Sequence, residues 1–457
     1  MENFNMPPLD VREVSDRVHL RVLHTDRIKT ARFGIYFVLP ADKKRSPLST
    51  LLRNVLIRGC EKFPSLERIN LELDGLYGTT LNARNFLDGD RHIIGFCAEM
   101  LDDRYAVFDA DGDMDILART VDLVANILLC PLMEKGLFRE DIMEKEKGYL
   151  CDSIKADIND TRSYSKDKFR RLMCDGEPYG VHLLGSVDEV MAITAKELTE
   201  HLAYVLANAK VEMFYVGNED ADCVYGIVKE AFGEKGENSF LLLSKNAANY
   251  PSLRHTGKGK VKYFSEDKPV SQGILHVGYS YGGEDTSRHA YCSAVVLCEM
   301  LGVMQSSYLF TNLRERLGLC YYCGSSLEPT KWIFSVSCGI NPTDREEAEG
   351  EIFRLMRAVA DGTGIDGGGV REIEYGVSLA LRSLKNYIRQ LPDSAGAMEG
   401  FYLSRVLAGR EKEDTLQDFF EGISRVTARD VIKIAGCFEL DTVYFLNATA
   451  VEDTEQQ

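Results

Sequence analysis

Hydrophobic and polar residues follow two periods along this chain. Apolar residues alternate with polar ones over segments such as 18–22 and 91–96, which predicts β-strands. Over residues 114–129 the apolar residues recur every three or four positions, which predicts an amphipathic helix. Because strand segments and helix segments are grouped together in each half of the chain, we predict an α+β fold of two α/β sandwiches.

One predicted helix is marked by its ends as well as by its period. The Ser-Pro pair at 46–47 is typical of a helix start, and Gly59 is typical of a helix end. Between them the apolar positions have the spacing of one buried stripe, at Leu48, Leu51, Leu52, Val55 and Leu56. This stripe leaves Thr50, Arg53 and Asn54 together on another face of the helix.

Three short patterns recur in the same order about half a chain length apart, which indicates an internal duplication. The recurring pairs are 138–140 with 370–372, 193–198 with 426–431, and 214–218 with 444–447. A polar stretch between the two copies is typical of a linker. We therefore predict an N-terminal domain at 1–235, a linker at 236–260 and a C-terminal domain at 261–457.

The charge balance restricts the class of partner. The chain of 457 residues carries 54 Lys and Arg against 71 Asp and Glu, a formal net charge of −17. That charge disfavours nucleic acids and anionic membrane surfaces. The first residues lack a basic segment followed by an apolar one, and no uncharged stretch approaches the roughly 20 residues that a membrane span needs. These features predict a cytoplasmic protein with no nucleic-acid or membrane partner.

The cysteines and histidines form no sequence motif for metal or redox chemistry. The twelve cysteines are dilute, and many lie in apolar segments, which predicts reduced core thiols. The Cys-x-x-Cys at 320–323 lacks a second pair of ligands at zinc-ribbon spacing. No two of the eight histidines are three or four residues apart. The glycine-rich run at 362–369 lacks a P-loop lysine and is typical of a turn.

The helix predicted near 46–59, with residues 71–78 after it, resembles the zinc helix and following segment of the insulinase (pitrilysin) metallopeptidase family. That family's helix carries His-x-x-Glu-His, in which two His hold zinc on one face and the Glu acts as a base. The corresponding positions here are Thr50, Arg53 and Asn54. A permanently charged guanidinium beside two neutral side chains would repel a dication.

The third zinc ligand of the family is a Glu on a later helix, seven residues after another acid. By similarity the first acid is Glu146, and the ligand position is Ser153, or Asp152 if the register shifts by one residue. One carboxylate cannot rebuild the site. The resemblance therefore implies no metal cofactor, no catalytic residue and no peptidase activity of the chain by itself.

The second copy contains a longer match to the same family. Residues 302–310, followed by 313–321, resemble its small-residue segment, Ser-x-Leu-Phe and Arg-Glu-x-x-Gly-Leu-x-Tyr. Gly318 is expected to end a helix in a left-handed conformation, which would place Arg314 and Tyr321 on either side of one corner. From the residues alone, these two side chains could equally be an ion-paired Arg and a half-buried strand Tyr. The resemblance implies that both bind substrate at the zinc of a partner.

The resemblance covers nearly the whole chain. Within the family, the chain is similar to the zinc-lacking member of a bacterial pair of insulinase-like proteins associated with modification of elongation factor P. The family's edge strand, to which extended peptides add, has its counterpart at 79–84. The implied function is a non-catalytic subunit that pairs as a heterodimer with a zinc-bearing paralogue, in a processing peptidase for extended peptides. The alternatives are a scaffolding protein of this fold without a peptidase role and an enzyme with an unrecognised site.

Overall fold

A computed structural model describes residues 9–106, 115–233, 250–257, 259–410 and 415–449. Its strands are β1 (Asp10–Ser15), β2 (Val18–His24), β3 (Thr30–Pro40), β4 (Thr80–Asp88), β5 (Arg91–Leu101), β6 (Met133–Glu134), β7 (Leu137–Phe138), β8 (Lys210–Gly217), β9 (Lys262–Lys268), β10 (Gly273–Tyr281), β11 (Cys320–Glu328), β12 (Ile333–Ile340) and β13 (Phe438–Ala448). Two further segments, Glu299–Val303 and Phe310–Arg316, are π-helical.

The α-helices are α1 (Arg45–Leu56), α2 (Leu66–Gly75), α3 (Ile116–Leu129), α4 (Glu140–Ala156), α5 (Thr161–Met173), α6 (Val187–Ala192), α7 (Ala195–Asn208), α8 (Ala221–Gly233), α9 (Arg288–Cys298), α10 (Arg345–Ala360), α11 (Gly369–Gln390), α12 (Ala395–Leu407), α13 (Leu416–Ser424) and α14 (Ala428–Ala435). The helix predicted over 114–129 is α3, and Met114 itself lies outside the described residues. Most of the predicted linker, and residues 1–8 of the N-terminal segment, also lie outside them.

The chain forms two compact units, and each unit takes segments from both halves of the sequence. The first unit comprises 1–156, 181–251 and 390–411, and the second comprises 157–180, 252–389 and 412–457. The predicted domain boundaries divide the chain once, between 235 and 261. The units also exchange two segments, so that α5 belongs to the second unit and α12 to the first.

The two units contain sheets of the same topology. The strand order is β1-β2-β8-β3-β5-β4 in the first unit and, from the corresponding edge, β9-β13-β10-β12-β11 in the second. The pairs β2–β8 and β9–β13 are parallel, whereas the other described pairs within these sheets are antiparallel. Apart from β1, every strand of one sheet has a counterpart in the other, as an internal duplication produces.

The repeats that the sequence predicts fall on equivalent elements. Thr194 caps α7 and Thr427 caps α14, each in a capping box, with Glu197 and Asp430 respectively. The repeat at 214–218 and 444–447 falls on β8 and β13, which lie beside the central strands β3 and β10. The repeat at 138–140 and 370–372 falls at the starts of α4 and α11.

In the first unit, α12 packs against β3 and β8. Its Glu399 is 1% exposed, and Glu399 Oε2 lies 2.5 Å from Arg32 Nε on β3. Burial alone would lower the pKa of Arg32, but the Glu399 carboxylate raises it above its ordinary value. Gly34 lies beneath the carboxylate, where a Cβ would collide with Glu399 Oε1 and lie 2.9 Å from Tyr36 Cε2. Because an unpaired buried charge is costly, the Arg32–Glu399 pair sets where α12 docks.

In the second unit, α5 packs against β10 and β13. Phe169 stacks on His276 with 5.2 Å between ring centroids, and Ser165 Oγ lies 2.9 Å from His276 Nε2. Burial lowers the pKa of His276 to about 3, so the ring stays neutral. A Cβ on Gly278 would lie 2.5 Å from Phe169 Cζ and 2.7 Å from Met173 Sδ. A glycine on each central strand thus admits the helix that covers it.

The start of α1 differs slightly from the prediction. The helix begins at Arg45, and Ser46 lies in its first turn. Asp42 Oδ1 accepts hydrogen bonds from the backbone N–H groups of Lys44 at 3.0 Å and Arg45 at 2.9 Å. Because this upstream carboxylate satisfies the free donors of the first turn, the helix starts before the Ser-Pro pair.

We predict that Gly34→Ala and Gly278→Ala each lower the free energy of unfolding by about 1–3 kcal/mol, because a methyl group would force a buried partner out of place. The helical Gly400→Ala, which meets nothing within 4 Å, is the matched control and should be neutral or stabilising by up to about 1 kcal/mol. Urea denaturation measures all three. Equal stability of the three variants would show that the two glycines do not control helix docking.

Candidate functional site

Thr50, the predicted counterpart of the family's first zinc ligand, forms hydrogen bonds inside the first unit. The residue is 1% exposed. Its Oγ1 lies 2.8 Å from Leu183 O and 3.1 Å from Ser46 O, and it accepts a hydrogen bond of 3.0 Å from Asn85 Nδ2 on β4. The hydroxyl therefore connects α1 to the edge strand.

The general-base and second-ligand positions interact with each other. Arg53 donates from Nε and Nη2 to Asn54 Oδ1, at 3.1 and 2.6 Å, and from Nη1 to Ala83 O at 3.4 Å. Burial lowers the pKa of Arg53, and the charge of Glu146 opposes that shift. The two positions thus hold a guanidinium and an amide that are paired with each other, which is not a ligand set for a dication.

The first acid of the later helix, Glu146, is present but forms an ion pair. Glu146 on α4 is buried, with its Oε1 2.6 Å from Arg58 Nε and its Oε2 accepting from Arg58 Nη2 at 3.1 Å. The predicted third-ligand position, Ser153, is exposed and donates to Tyr149 O of its own helix at 2.8 Å. Asp152, the alternative position, is exposed as well.

The first unit contains two buried histidines, His92 and His201, that the sequence pattern did not single out. Burial lowers the pKa of His92 to about 3, with further lowering by His201 and Arg53. Burial and then Arg45 lower the pKa of His201 to about 4, and His201 Nε2 lies 2.9 Å from Ser49 Oγ. Both rings are neutral at pH 7. Neither joins a group of three potential metal ligands within the described parts of the chain.

One group of three potential ligands does occur in the second unit: Cys174, Glu177 and His255. His255 Nδ1 lies 2.5 Å from Glu177 Oε1 and 4.0 Å from Cys174 Sγ, and its Nε2 lies 3.5 Å from Asp441 Oδ2. Lys331 Nζ lies 2.8 Å from Glu177 Oε2. Both ring nitrogens thus face carboxylates, and an ammonium already occupies Glu177, so the group is an ion-pair network rather than a metal site.

The charges of this network support one another. Burial alone would lower the pKa of His255, but hydrogen bonds with Asp441, Cys174 and Glu177 outweigh it and raise the pKa to about 11. Burial would raise the pKa of Glu177, but hydrogen bonds from His255 and Lys331 lower it to about 2. His255 N–H also donates to Lys331 O at 3.0 Å. The imidazolium thereby joins the last part of the predicted linker, 252–257, to the rest of the second unit.

Arg314 lies in an irregular helical turn. The π-helical segment Phe310–Arg316 contains it, and the helix ends at Gly318 with φ +64°, which confirms the expected left-handed conformation. Leu319 N–H donates to Leu313 O at 2.8 Å across that end. The Arg314 side chain is 47% exposed, and its Cζ lies 4.9 Å from the Phe310 ring centroid. Its only ion pair in the described chain is a 3.9 Å contact with the exposed Glu315, which contributes little in water.

Tyr321 lies in a β-bulge at the start of β11. The register with β12 shifts between Cys320 and Tyr322, which leaves Tyr321 without a partner in the ladder. The residue is 64% exposed. A bulge re-aims the side chain that it carries. The alternative interpretation, a half-buried strand Tyr and an ion-paired Arg, therefore does not fit. Tyr321 is exposed, and Arg314 is not bound to a buried acid. The structure brings both to one corner, as the spacing predicts.

The two cysteines beside Tyr321 are free thiols. A hydrogen bond with Cys323 and the positive charge of Arg314 lower the pKa of Cys320, while burial opposes the shift.

The predicted edge strand is β4, the outermost strand of the first sheet. Its observed bounds extend further than 79–84, to Asp88. Asn85 and the Ala83 carbonyl on this strand bind Thr50 and Arg53, so polar contacts join the edge strand to the face of α1 that carries the predicted zinc-ligand counterparts.

Comparison with known proteins finds one peptidase family to which this chain is similar. Residues 192–367 match the model described as Peptidase M16 inactive domain. Over 428 residues the chain is 27% identical to a "Probable inactive metalloprotease YmfF" of Bacillus subtilis, which spans 94% of this chain and 95% of that protein. The chain is a homologue of the M16 peptidases. M16 is the insulinase-like family named above, so the predicted resemblance to that family and the predicted status of an inactive peptidase homologue are confirmed.

Solved structures agree with the fold of an M16 homologue. A conserved protein from Enterococcus faecalis has a TM-score of 0.81 at 20% identity, over 98% of this chain and 100% of that one. A peptidase M16 inactive domain from Pseudomonas fluorescens has a TM-score of 0.73 at 16% identity, over 97% and 99%. The predicted α+β class with two α/β sandwiches is therefore confirmed.

Two further expectations about this M16 homologue concern a membrane partner and elongation factor P. No helix among the described residues is long and apolar enough to cross a membrane. The association with elongation factor P modification stays an expectation, since the named relatives do not bear on it.

We predict that the M16 homologue, purified without added metal, holds less than about 0.1 zinc per chain, because the predicted zinc positions carry no His and Glu146 is paired with Arg58. Metal analysis after dialysis measures this. If about one zinc per chain is retained, Thr50→Ala with Asn54→Ala and, separately, Cys174→Ser would locate it. Loss in the first variant would contradict the assignment of a degenerate zinc helix.

We also predict a pH-dependent stabilisation by His255. Because its folded pKa of about 11 lies above the ordinary value of about 6.5, the stabilisation is full below about pH 6.5 and is lost as pH rises toward 11. His255→Gln should lower the free energy of unfolding by about 3 kcal/mol at pH 6, and the gap to the unaltered chain should narrow up to pH 10.

Urea denaturation at several pH values measures that gap, with the exposed His24→Gln as control. A gap that stays constant between pH 6 and 10 would show that His255 is not held as an imidazolium.

Proposed function

We propose that this M16 homologue is a non-catalytic subunit that pairs with a zinc-bearing paralogue and contributes Arg314 and Tyr321 to the binding of an extended peptide substrate. The match to an inactive M16 domain and the paired side chains at the former zinc positions support a role without chemistry of its own. The partner would supply the zinc and the general base.

One observation carries the proposal. At a single corner of the second unit, a guanidinium and a phenol are exposed on two backbone irregularities, a π-helical segment and a β-bulge. Such irregularities disturb regular hydrogen bonding, and they are frequent at functional sites. Since neither side chain is needed for the core or for an internal ion pair, their exposure suits an external ligand.

The chemistry of these two groups fits a peptide. The planar guanidinium of Arg314 and the hydroxyl of Tyr321 both donate hydrogen bonds, and a peptide carbonyl or a developing oxyanion accepts them. Donors that act on charge developed in the transition state raise kcat, whereas donors that act equally on bound substrate change only KM. We therefore assign both residues to the reacting carbonyl in the partner's site.

We predict that the chain restores peptidase activity when it is mixed with its zinc-bearing paralogue, and that Arg314→Ala or Tyr321→Phe lowers kcat about 10²–10³-fold. The matched controls are Arg316→Ala, which removes a charge from the same helical segment, and Tyr375→Phe at another exposed tyrosine; both should keep full activity. Light scattering after size-exclusion chromatography measures whether each complex keeps its mass.

Full activity of both site variants would remove the substrate-binding role. A complex that dissociates in those variants would mean that the two residues serve assembly instead. If no paralogue is activated by the unaltered chain, the scaffolding alternative becomes the better account.

A further inference from the structure

A groove lies within the second unit, between α5 and the face formed by β11 and β12. Helix α5 packs on the inner strands β10 and β13, which leaves the outer part of this face uncovered. The groove encloses a volume of about 610 Å³. Pockets of about 300–1,000 Å³ are typical for small ligands.

The floor of the α5 groove consists of small residues. Gly324 and Ser326 on β11 lie opposite Ser337 and Ser335 on β12, and all four line the groove. Ser326 Oγ and Ser335 Oγ are 2.8 Å apart. Small side chains at these paired positions leave the space empty, and their hydroxyls present hydrogen-bonding groups to whatever occupies it.

One wall of the α5 groove carries positive charge. Arg162 and Lys166 are four residues apart and therefore lie on one face of α5, and both are exposed. Arg162 Cζ lies 3.7 Å from the ring centroid of Tyr322, a cation–π contact that holds the guanidinium beside the floor. Within the described residues neither cation forms an ion pair, although the chain as a whole carries a net charge of −17.

The other end of the α5 groove is already neutralised and is more apolar. Arg170 pairs with Asp167 at 2.5 Å, and Tyr179 OH donates to Glu328 Oε2 at 3.2 Å. Phe169, Met173 and Ile333 form an apolar surface between these groups and belong to one buried cluster. The groove is therefore lined by two unpaired cations at one end, by serine hydroxyls on its floor and by apolar side chains at the other end.

We propose that the α5 groove binds a compact amphiphilic anion, with a carboxylate or phosphate head at Arg162, Lys166 and the serine hydroxyls and an apolar body against Phe169, Met173 and Ile333. A guanidinium fork, an ammonium and hydroxyl donors are the groups that recognise such a head. Burial of the apolar body removes its surface from water and supplies the rest of the affinity. This site is separate from the Arg314–Tyr321 proposal, and its test needs no peptidase partner.

The test uses three probes with the same eight-carbon chain: octanoate, octyl phosphate and octanol. Isothermal titration calorimetry on the full chain, with saturation-transfer NMR for weak binding, should show that at least one anion binds and that octanol binds about tenfold more weakly or not at all. The stronger of the two anions identifies the head group. Arg162→Glu combined with Lys166→Glu should weaken that anion by about tenfold to a hundredfold.

The matched control is Arg382→Glu, a charge reversal at an exposed arginine of α11 in the same unit, which should leave affinity unchanged. Ser326→Phe, at an exposed floor position, should block the groove without loss of folding and abolish binding. Equal affinity for octanol and the anions, equal affinity of the Arg162/Lys166 variant and the unaltered chain, or no binding of either anion at millimolar concentration would each overturn the proposal.

Discussion

Each of the two large sheets of this protein has a face that is covered by a helix from the other half of the sequence. In the first unit the cover is α12, positioned by the buried Arg32–Glu399 ion pair above Gly34. In the second it is α5, seated on Gly278 through Phe169. Both glycines lie on central strands, so they could not carry larger side chains without displacing the helix. This reciprocal cover explains why two copies of one topology form units that neither half of the chain completes.

Sequence reasoning recovers what is encoded locally. The duplication follows from repeated capping and strand patterns, and the capping boxes of α7 and α14 place Thr194 and Thr427 correctly. The left-handed Gly318 follows from its position between a helix and a strand. The exchange of α5 and α12 is not encoded in this way, because Arg32 and Glu399 are 367 positions apart and each, taken alone, is an ordinary charged residue.

The candidate site shows the same division. Similarity identifies the positions Thr50, Arg53 and Asn54, but only the structure shows that these residues bind β4 and each other. A β-bulge inserts one residue into a strand, and the alternation of polar and apolar residues does not reveal it. The sequence alone therefore could not decide whether Tyr321 is exposed, whereas the register of β11 with β12 does. The α5 groove depends on which strands a helix leaves uncovered, which also is a tertiary property.

The exchange has a consequence for synthesis on the ribosome. The helix that completes the first unit begins at Ala395, about 160 residues after α8 ends at Gly233. At about 5–20 residues per second, the nascent first sheet therefore waits roughly 8–30 s for its cover. During that interval Arg32 has no Glu399 partner, and the face around Gly34 is exposed. Such a chain should depend on a holding chaperone, or on the pace of translation, more than a protein whose domains close in order.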